Sequence, residues 1–376
     1  MNNTVFVMSF CFPNSRNPQL GRFVLEQCVE LRNRGLSIVV LNVARAKKLG
    51  KKKITVREEE GFPVYETTVF PLAQSKFPRL TTALYLKKYR RLLRRAIQDH
   101  GTPNKLYAHF SCPTGFVAGR LSGETGIPFV VMEHHSLYFR KKLPAYILRE
   151  LKKTVEKSDD FLCVSAALKE AVVGKTGCTP DKVRVVHNVV EQRFQYTEPA
   201  QNPVFTFFSA GNLVPGKRFS LLLDAAARLY DRGVSFRLRI AGAGEEKSAL
   251  QTKIEEYHLS DTVCLLGRVD KEQMLKEYQM SDAFVLPSKV ETYGIVYRES
   301  LLVGRPVISS DNGGIREDWD DRFGIILEQT TVDTLADAME RLIEQYNTYD
   351  LKQIAEKARE TCSAEHVCEQ ILRSFE

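Results

Sequence analysis

The sequence predicts an α/β protein of two doubly wound, Rossmann-like domains that face each other across a cleft. Runs rich in Val, Ile, Leu and Phe alternate with amphipathic helical stretches along the whole chain. Such runs are typical of parallel strands that are covered by helices on both faces. A polar segment without periodicity at 192–204 separates the first six runs from the next six, so we place a hinge there.

Each predicted strand is a short apolar run bounded by turn residues or by a helical stretch. In chain order the runs are TVFVMSF, LSIVVLNV, KLYAHF, IPFVVM, DFLCVS and VRVVHN before the hinge, and VFTFFSAG, SFRLRIAGAG, TVCLLG, AFVLPS, RPVISS and GIILE after it. Doubly wound sheets bind their ligands beyond the carboxyl ends of the strands. We therefore expect functional residues where these runs end.

The composition is that of a soluble globular protein, with 376 residues of which 43% are hydrophobic and 27% charged. No run reaches the ~18 apolar residues that a membrane helix needs. The opening MNNTVFVMSF lacks the cationic region and cleavage site of a signal peptide. The eight cysteines are scattered without a Cys-x-x-Cys pair, which favours reduced thiols in a cytoplasm over a disulfide framework or a zinc site.

The net charge is distributed unevenly. Residues 1–200 carry 33 Lys and Arg against 17 Asp and Glu, a net +16, whereas residues 201–376 carry 21 against 29, a net −8. The cations concentrate at 47–53, 87–95 and 140–153. The stretch YLKKYRRLLRRAIQDH combines an apolar helical seam with cationic flanks, which suits an anionic membrane surface or a docked helix with a solvated face. Nucleic acid attracts such charge too, but no nucleic-acid motif accompanies it.

Two glutamates flank a glycine turn in VLPSKVETYGIVYRESLLVGRPVISSDNGG, residues 285–314. We predict a buried strand, a turn at Glu291–Gly294, and a helix over Ile295–Val303 that ends at Gly304 in the left-handed conformation. Eight residues of helix give about 12 Å of rise and about 80° of rotation. A retaining glycosidase instead needs two carboxyl groups ~5 Å apart across one bond. The spacing therefore suits two different atoms of one ligand.

The N–H groups at Gly294 and Ile295 supply a third contact between the two carboxylates. A helix N-terminus at the carboxyl end of a strand attracts phosphate, and glycine allows the backbone to approach closely. A polyol, a phosphate and a second polyol fit this order, as in a nucleoside diphosphate-sugar. Glu291 would then bind sugar hydroxyls and Glu299 the ribose diol. The alternative is that Glu299 is a solvent-facing helix residue.

These residues carry a resemblance to the retaining glycosyltransferases of the GT-B architecture, in glycosyltransferase family 4 (group 1). The stretch SAGNLVPGKRFSLLLDAAARL, from Ser209, is similar to the strand, lysine loop and helix of that family. RIAGAGEEKSAL and the sequence from VCLLGRVD to DNGGIRE resemble its donor domain. The resemblance implies an acceptor-side domain at 1–195, a nucleotide-sugar donor domain at 196–360, and a C-terminal helix at 361–376 that packs back on the first domain.

The resemblance also implies roles for single residues. Glu291 would contact the transferred sugar and Glu299 the ribose, while Lys217 would reach the diphosphate and offset the charge of the leaving group. Such a charge-assisted contact is worth roughly 1.5–3 kcal/mol. The backbone that would bind the phosphates is that of Tyr293, Gly294 and Ile295.

One position departs from the family pattern. Asn212 follows Gly211 where family members commonly carry an arginine that also holds the diphosphate. Asn212 cannot supply that charge, whereas Arg218 beside Lys217 can. The departure puts the strength or identity of donor binding in doubt more than the fold.

In the first domain, the segment from Pro18 resembles the opening turn and helix of the family, where two glycines let the donor phosphate approach. Only the second of these glycines is present, as Gly21. The alternative interpretation is that Gly21 is an ordinary turn glycine. IPFVVMEHHS places His134 at the end of a strand, and the resemblance implies a role near the reacting carbon of the sugar. His135 is the second choice. We interpret His109, in LYAHF, as a structural or rim residue.

We expect a cytoplasmic hexosyltransferase, peripheral at the inner face of a membrane, that acts with retention and without a metal or other cofactor. Its donor would be a UDP- or GDP-sugar, and its acceptor a hydroxyl group such as that of a lipid-linked glycan in surface polysaccharide biosynthesis. Two alternatives stay open: a nucleotide-sugar epimerase of the same fold, which needs further acid and base carboxylates, and a non-catalytic partner subunit, which Asn212 makes plausible.

Two other motifs are weaker. Gly242-Ala243-Gly244 follows a predicted strand, but Lys247 stands at the third glycine position of a dinucleotide fingerprint, so a dehydrogenase that binds NAD is the least favoured function. Asp318 to Asp320 resembles a metal-binding Asp-x-Asp of another transferase architecture, and we interpret it as an acidic surface turn.

Overall fold

A computed structural model describes residues 3–14, 17–46, 53–70 and 77–376. The chain forms two compact units: unit 1 is Met1–Val189 together with Ala364–Glu376, and unit 2 is Val190–Ser363. The sequence predicts these boundaries after residue 195 and after residue 360. The basic run at 47–52 lies outside the described residues.

Unit 1 is built on a sheet of eight strands. In chain order its strands and helices are β1 Thr4–Ser9, α1 Arg22–Asn33, β2 Ser37–Arg45, β3 Thr55–Glu59, β4 Phe62–Val69, α2 Pro78–His100, β5 Lys105–His109, α3 Phe116–Thr125, β6 Phe129–Glu133, α4 Ala145–Lys157, β7 Asp160–Cys163, α5 Ala166–Thr176 and β8 Arg184–Val185.

The strand order of this sheet is β3-β4-β2-β1-β5-β6-β7-β8, and every neighbouring pair is parallel except β3 with β4. Strands β1, β5 and β6 are almost fully buried, as the apolar runs predicted. The hairpin of β3 and β4 was not predicted, because β3 is a charged and largely exposed edge strand and β4 alternates buried with half-buried residues. Its two-residue turn is Glu60-Gly61, and both residues have positive φ, which matches the twist of a hairpin.

Unit 2 is built on a second sheet, whose six strands are all parallel. Its elements are β9 Phe205–Ala210, α6 Phe219–Asp231, β10 Phe236–Ala241, α7 Lys247–Glu256, β11 Val263–Gly267, α8 Lys271–Gln279, β12 Ala283–Leu286, α9 Ile295–Val303, β13 Val307–Ser310, β14 Gly324–Leu327, α10 Val332–Gln345 and α11 Leu351–Cys362. The strand order is β11-β10-β9-β12-β13-β14. The order reverses between β9 and β12, the position at which doubly wound sheets bind ligands.

The last helix, α12 Ala364–Leu372, belongs to unit 1 and packs against α1. The residues that follow it also contact unit 1. The Phe375 ring lies 5.1 Å from the Tyr107 ring, and the Ser374 hydroxyl donates to Asp160 Oδ2 at 2.8 Å.

A buried arginine fixes the start of unit 2. Arg305 has no exposed surface. Its guanidinium donates to the carbonyl oxygens of Ser281 at 2.8 Å, Thr197 at 2.9 Å and Glu198 at 3.2 Å. Because a buried charge needs such partners, Arg305 ties the segment around Thr197 to unit 2.

Candidate functional site

The turn between β12 and α9 has the conformation that the sequence predicted. Helix α9 begins at Ile295 and ends at Val303, and Gly304 follows it in the left-handed conformation. Gly294 precedes α9 with φ 77°, and a Cβ atom there would lie 2.4 Å from Tyr297 Cδ2. Only glycine therefore fits, and it lets the backbone turn into the helix. The first N–H groups of α9, which have no partner within the helix, lie at the carboxyl end of the sheet.

Glu291 and Lys217 form an ion pair at the reversal of strand order. Lys217 follows β9 and Glu291 follows β12, and the Lys217 ammonium contacts Glu291 Oε1. The backbone N–H of Glu291 donates to Asn312 O at 3.1 Å, which holds the turn against the loop after β13. The exposed fractions of the two side chains are 23% for Lys217 and 12% for Glu291, so both stay in reach of a ligand.

Arg218 and Asn212 lie in the loop between β9 and α6. Arg218 has φ 56° and immediately precedes α6. Its guanidinium makes no hydrogen bond or ion pair with any residue that the structure describes, and the Asn212 side chain is exposed. The loop therefore presents one paired cation, Lys217, and one unpaired cation, Arg218.

Glu299 is buried, with 2% of its surface exposed, which rules out the solvent-facing alternative. Lys271 Nζ lies 2.7 Å from Glu299 Oε1. The Tyr278 hydroxyl lies 3.1 Å from Glu299 Oε2 and 2.8 Å from Val296 O. Burial, and then the Glu299 charge, raise the pKa of Tyr278 well above its ordinary value, so the phenol keeps its proton.

Two basic residues beside these glutamates were not identified from the sequence. Lys271 is the first residue of α8, and Arg298 precedes Glu299 on α9. The Arg298 guanidinium lies 4.8 Å from the Tyr293 ring and donates to Gly314 O at 3.1 Å. Tyr293 itself is 1% exposed, so its ring is a packing element. No motif marks Lys271 or Arg298, since each looks like an ordinary helix cation.

In unit 1, His134 forms a buried pair with His109. His109 Nδ1 lies 3.0 Å from His134 Nε2, and the two rings are stacked at 12°. His109 is fully buried and His134 is 8% exposed, and the rings of Phe23 and Phe110 pack against His134. Burial lowers the pKa of His109 to about 3 and that of His134 well below its ordinary value, so both imidazoles are neutral. His109, which we interpreted as structural or rim, is thus the direct partner of His134.

The neighbouring residues Glu133 and His135 hold the turn after β6. Glu133 accepts from the backbone N–H of Ser111 at 2.8 Å, of His134 at 2.8 Å and of His135 at 2.7 Å, and from the Ser111 hydroxyl. Burial raises the pKa of Glu133 despite these bonds. His135 Nδ1 accepts from Leu137 N at 3.1 Å. Both side chains are therefore occupied in fixing the backbone that carries His134.

Gly21 immediately precedes α1 with φ 66°. A Cβ atom there would lie 2.3 Å from Cys11 O. The close approach of these two backbone segments explains the glycine by itself, and its contact with a donor phosphate stays a prediction.

The acidic turn at Asp318 to Asp320 is stabilised by an arginine. Asp320 accepts from Arg322 Nε at 2.7 Å and from Arg322 N at 3.0 Å. Among the residues that the structure describes, no group of three or more His, Cys, Asp or Glu side chains is arranged to hold a metal ion. None of the described helices is long and apolar enough to cross a membrane.

Two family profiles match adjoining parts of the chain. The profile of group 1 glycosyl transferases matches residues 190–361, and that of glycosyltransferase family 4 matches residues 20–193. Among curated relatives, the GPI3 subunit of phosphatidylinositol N-acetylglucosaminyltransferase from Saccharomyces cerevisiae is 25% identical over 354 residues, which cover 91% of this chain and 75% of the relative. The putative colanic acid biosynthesis glycosyltransferase WcaL from Escherichia coli is 27% identical over 298 residues, covering 74% and 72%.

Solved structures show the same fold. Sucrose-phosphate synthase from Thermosynechococcus elongatus superposes with a TM-score of 0.78 at 16% identity, covering 99% of this chain and 98% of that one. Anabaena HepE in complex with UDP and glucose superposes with a TM-score of 0.74 at 17% identity, covering 99% of both chains. At this identity the similarity shows the fold alone, which is GT-B. With both halves matched by their profiles, the chain belongs to glycosyltransferase family 4, the group 1 glycosyltransferases.

Proposed function

We propose that the protein transfers a hexose-type sugar from a UDP- or GDP-sugar to an acceptor hydroxyl, with retention of configuration. The observation that carries the proposal is the arrangement around the N-terminus of α9. The Lys217–Glu291 pair lies before this helix end, and the Lys271–Glu299 pair lies further along the helix. A phosphate-binding helix end between two carboxylates suits a ligand with a hydroxyl-rich group on each side of a diphosphate.

In this proposal each predicted residue has one task. The backbone from Tyr293 to Ile295 binds phosphate oxygens, Glu291 accepts hydrogen bonds from the sugar, and Glu299 accepts them from the ribose. Lys217 and Arg218 offset the charge of the leaving diphosphate. His134 is a neutral hydrogen-bonding group near the reacting carbon, and Gly21 gives the donor phosphate room.

The chemical step needs no covalent intermediate. The acceptor oxygen forms a bond to the anomeric carbon on the face from which the nucleoside diphosphate leaves, as the bond from that carbon to the phosphate oxygen breaks. The leaving phosphate oxygen takes the proton of the acceptor hydroxyl, so atoms and charge balance. The cationic loop at Lys217 and Arg218 supports a reaction in which side chains replace a metal ion.

We propose a lipid-linked acceptor at an anionic, inner membrane surface. The names of the yeast and Escherichia coli relatives refer to phosphatidylinositol and to colanic acid, which supports an acceptor of that kind. In unit 1, two guanidinium groups lie near the ring of Tyr146 on α4, that of Arg79 of α2 at 5.8 Å and that of Arg149 at 5.6 Å from the ring centre. Phe77 and Leu80 beside Arg79 are 56% and 48% exposed. Exposed apolar side chains among cations suit the interface of an anionic bilayer.

Two observations favour a second function, that of a non-catalytic partner subunit. Asn212 is exposed in the donor loop, at the position where the resemblance leads us to expect an arginine. The relative from yeast is itself named as a subunit. In this second function the chain would bind a nucleotide weakly or not at all and would not release it from a sugar donor.

The test is a transfer assay with UDP-glucose, UDP-N-acetylglucosamine and GDP-mannose, each with vesicles that contain phosphatidylinositol or a bacterial lipid extract, in the presence of EDTA. We expect nucleoside diphosphate release from one donor, a product with the anomeric configuration of that donor, and loss of release in Glu291→Gln. Release that requires a divalent cation would contradict metal independence. Absence of release from every donor, together with weak or absent nucleotide binding, would favour the partner subunit.

A further inference from the structure

Lys271 occupies a position that helix energetics do not explain. It is the first residue of α8, and Asp270 before it caps the helix by accepting from Gln273 N at 2.9 Å. A cation in the first turn lies at the unfavourable end of the helix dipole. Residues that break a local rule without a local gain are often found at functional sites.

The surroundings of Lys271 give the reason for its position. Its Nζ lies 2.7 Å from Glu299 Oε1 and 3.7 Å from Glu191 Oε1. The Phe194 ring lies 5.2 Å from the same atom, in the geometry of a cation–π contact. The Lys271 side chain is only 15% exposed. Two groups from one segment of unit 2, Glu191 and Phe194, thus hold the ammonium against Glu299.

Lys271 is the principal partner of the Glu299 carboxylate. Among the residues that the structure describes, the other group in reach is the Tyr278 hydroxyl, whose single proton is shared between Val296 O at 2.8 Å and Glu299 Oε2 at 3.1 Å. A carboxylate that is nearly buried loses its hydration, and it stays charged and oriented only where cations or donors replace the water. Lys271 supplies that replacement on Oε1.

We propose that Lys271 is a positioning residue that orients Glu299 for a vicinal diol, and so sets the preference of the site for a ribonucleotide. The inference rests on the proposed function, in which Glu299 accepts from the ribose. Each carboxylate oxygen accepts two hydrogen bonds, so the contacts of Lys271 and Tyr278 leave room on both oxygens. Two hydroxyl donors on adjacent carbons match the two oxygens of one fixed carboxylate.

The opposite role for Lys271 makes the opposite prediction. In that role the ammonium fills the place of the ribose and must leave before a donor binds. Removal of the charge would then strengthen nucleotide binding, whereas under our proposal it weakens the binding of nucleotides that carry the diol.

The experiment compares UDP and GDP with their 2′,3′-dideoxy analogues by calorimetry on the full chain. For whichever base binds, we expect the unmodified protein to favour the diol by at least about a hundredfold, because two charge-assisted hydrogen bonds are at stake. In Lys271→Met this preference should fall below about threefold while the affinity for the dideoxy analogue changes little. A merely structural role would weaken both ligands alike.

Three further variants complete the test. Lys276→Met removes an exposed lysine of the same helix and should keep the preference, since Lys276 pairs with Glu272 on the surface. Lys271→Arg keeps the charge and should restore most of the preference. Tyr278→Phe removes one hydroxyl and should lower the preference by a smaller factor, which gives a second readout if Lys271→Met folds poorly.

An unchanged diol preference in Lys271→Met, or tighter binding of UDP or GDP in that variant, would overturn the proposal while leaving the proposed function intact. Failure of the unmodified protein to bind either nucleotide would overturn both.

Discussion

The titratable side chains at the carboxyl ends of the two sheets differ in charge. Those of unit 2 form ion pairs, whereas those of unit 1 are neutral. In unit 2, Glu291 and Glu299 each contact a lysine, so the site holds two compensated ion pairs. In unit 1, His109 and His134 are buried against each other and burial keeps both neutral. The first arrangement contains charges that a polar ligand can bind, and the second contains neutral hydrogen-bonding groups in an apolar surrounding.

Under the proposed function, this difference corresponds to a division of tasks between the units. Two charges that compensate each other remain stable without a ligand, yet each keeps further hydrogen-bonding capacity for an anion or a polyol. A neutral imidazole makes hydrogen bonds in a fixed direction without carrying a net charge. In the proposed function, unit 2 would bind the charged donor, and the turn at His134 would supply a neutral group whose orientation Glu133 fixes.

The largest effect should follow from removal of the cation beside Glu291. We expect Lys217→Met to lower the rate of sugar transfer by about a hundredfold to a thousandfold, as loss of one group that stabilises transition-state charge does. The measurement is nucleoside diphosphate release under single-turnover conditions.

The matched control for Lys217 is Lys352→Met, which removes a lysine of the same unit that is 69% exposed on α11. It should leave the rate within about twofold of the unmodified protein. Equal losses of transfer rate in the two variants would show that the rate depends on the net charge of the protein and not on the pair with Glu291. That result would contradict the role given to the ion pairs of unit 2.

An intermediate effect should appear in the pH dependence of stability. The pKa of His109 is about 3 in the folded protein, against about 6.5 in an unfolded chain. As pH falls below 6.5 the unfolded chain binds the proton first, so the folded state loses stability. Between pH 7.5 and pH 5 the loss from His109 is about 2 kcal/mol. His109→Asn, which keeps a polar group for His134, should reduce the pH-dependent loss by about that amount.

The measurement is urea unfolding followed by far-UV circular dichroism at the two pH values. Circular dichroism is needed because the single tryptophan, Trp319, lies in unit 2 and would not report on unit 1. An equal pH-dependent loss in both proteins would contradict a neutral, buried pair.

The smallest effect concerns the cationic surface of unit 1. Arg91 is exposed on α2, and a cation near an anionic bilayer contributes about 1 kcal/mol. We expect Arg91→Gln to weaken binding to phosphatidylglycerol vesicles about fivefold. Sedimentation with vesicles at two salt concentrations measures this. Lys276→Gln in unit 2 is the control, and equal weakening by both substitutions would remove the assignment of the membrane surface to unit 1.

Much of the fold was predictable because it follows local rules. The bounds of α9 and its left-handed Gly304 follow from the glycines that flank an apolar helical stretch, and the structure confirms them. The buried parallel strands follow from their apolar runs. The hairpin of β3 and β4 was missed because β3 is an exposed edge strand without an apolar pattern and β4 alternates apolar with polar residues in place of a continuous apolar run.

The side-chain pairs were less predictable, because they depend on which strand ends are neighbours. Lys217 and Glu291 are 74 residues apart, and they meet because β9 lies beside β12. Lys271 and Glu299, 28 residues apart, meet across α8 and α9. His109 and His134 are at the ends of the adjacent strands β5 and β6. The sequence identified one or both members of each pair, and only the tertiary structure shows the contact.

The central claim is that the carboxyl edge of unit 2 binds a nucleoside diphosphate through Glu299. The most direct test is calorimetry of the native chain and of Glu299→Ala with UDP, GDP, ADP and NAD. We predict that UDP or GDP binds and that its affinity falls by at least about tenfold in the variant, since a charge-assisted contact is lost. Absence of binding to all four ligands, or equal affinity in both proteins, would contradict the claim.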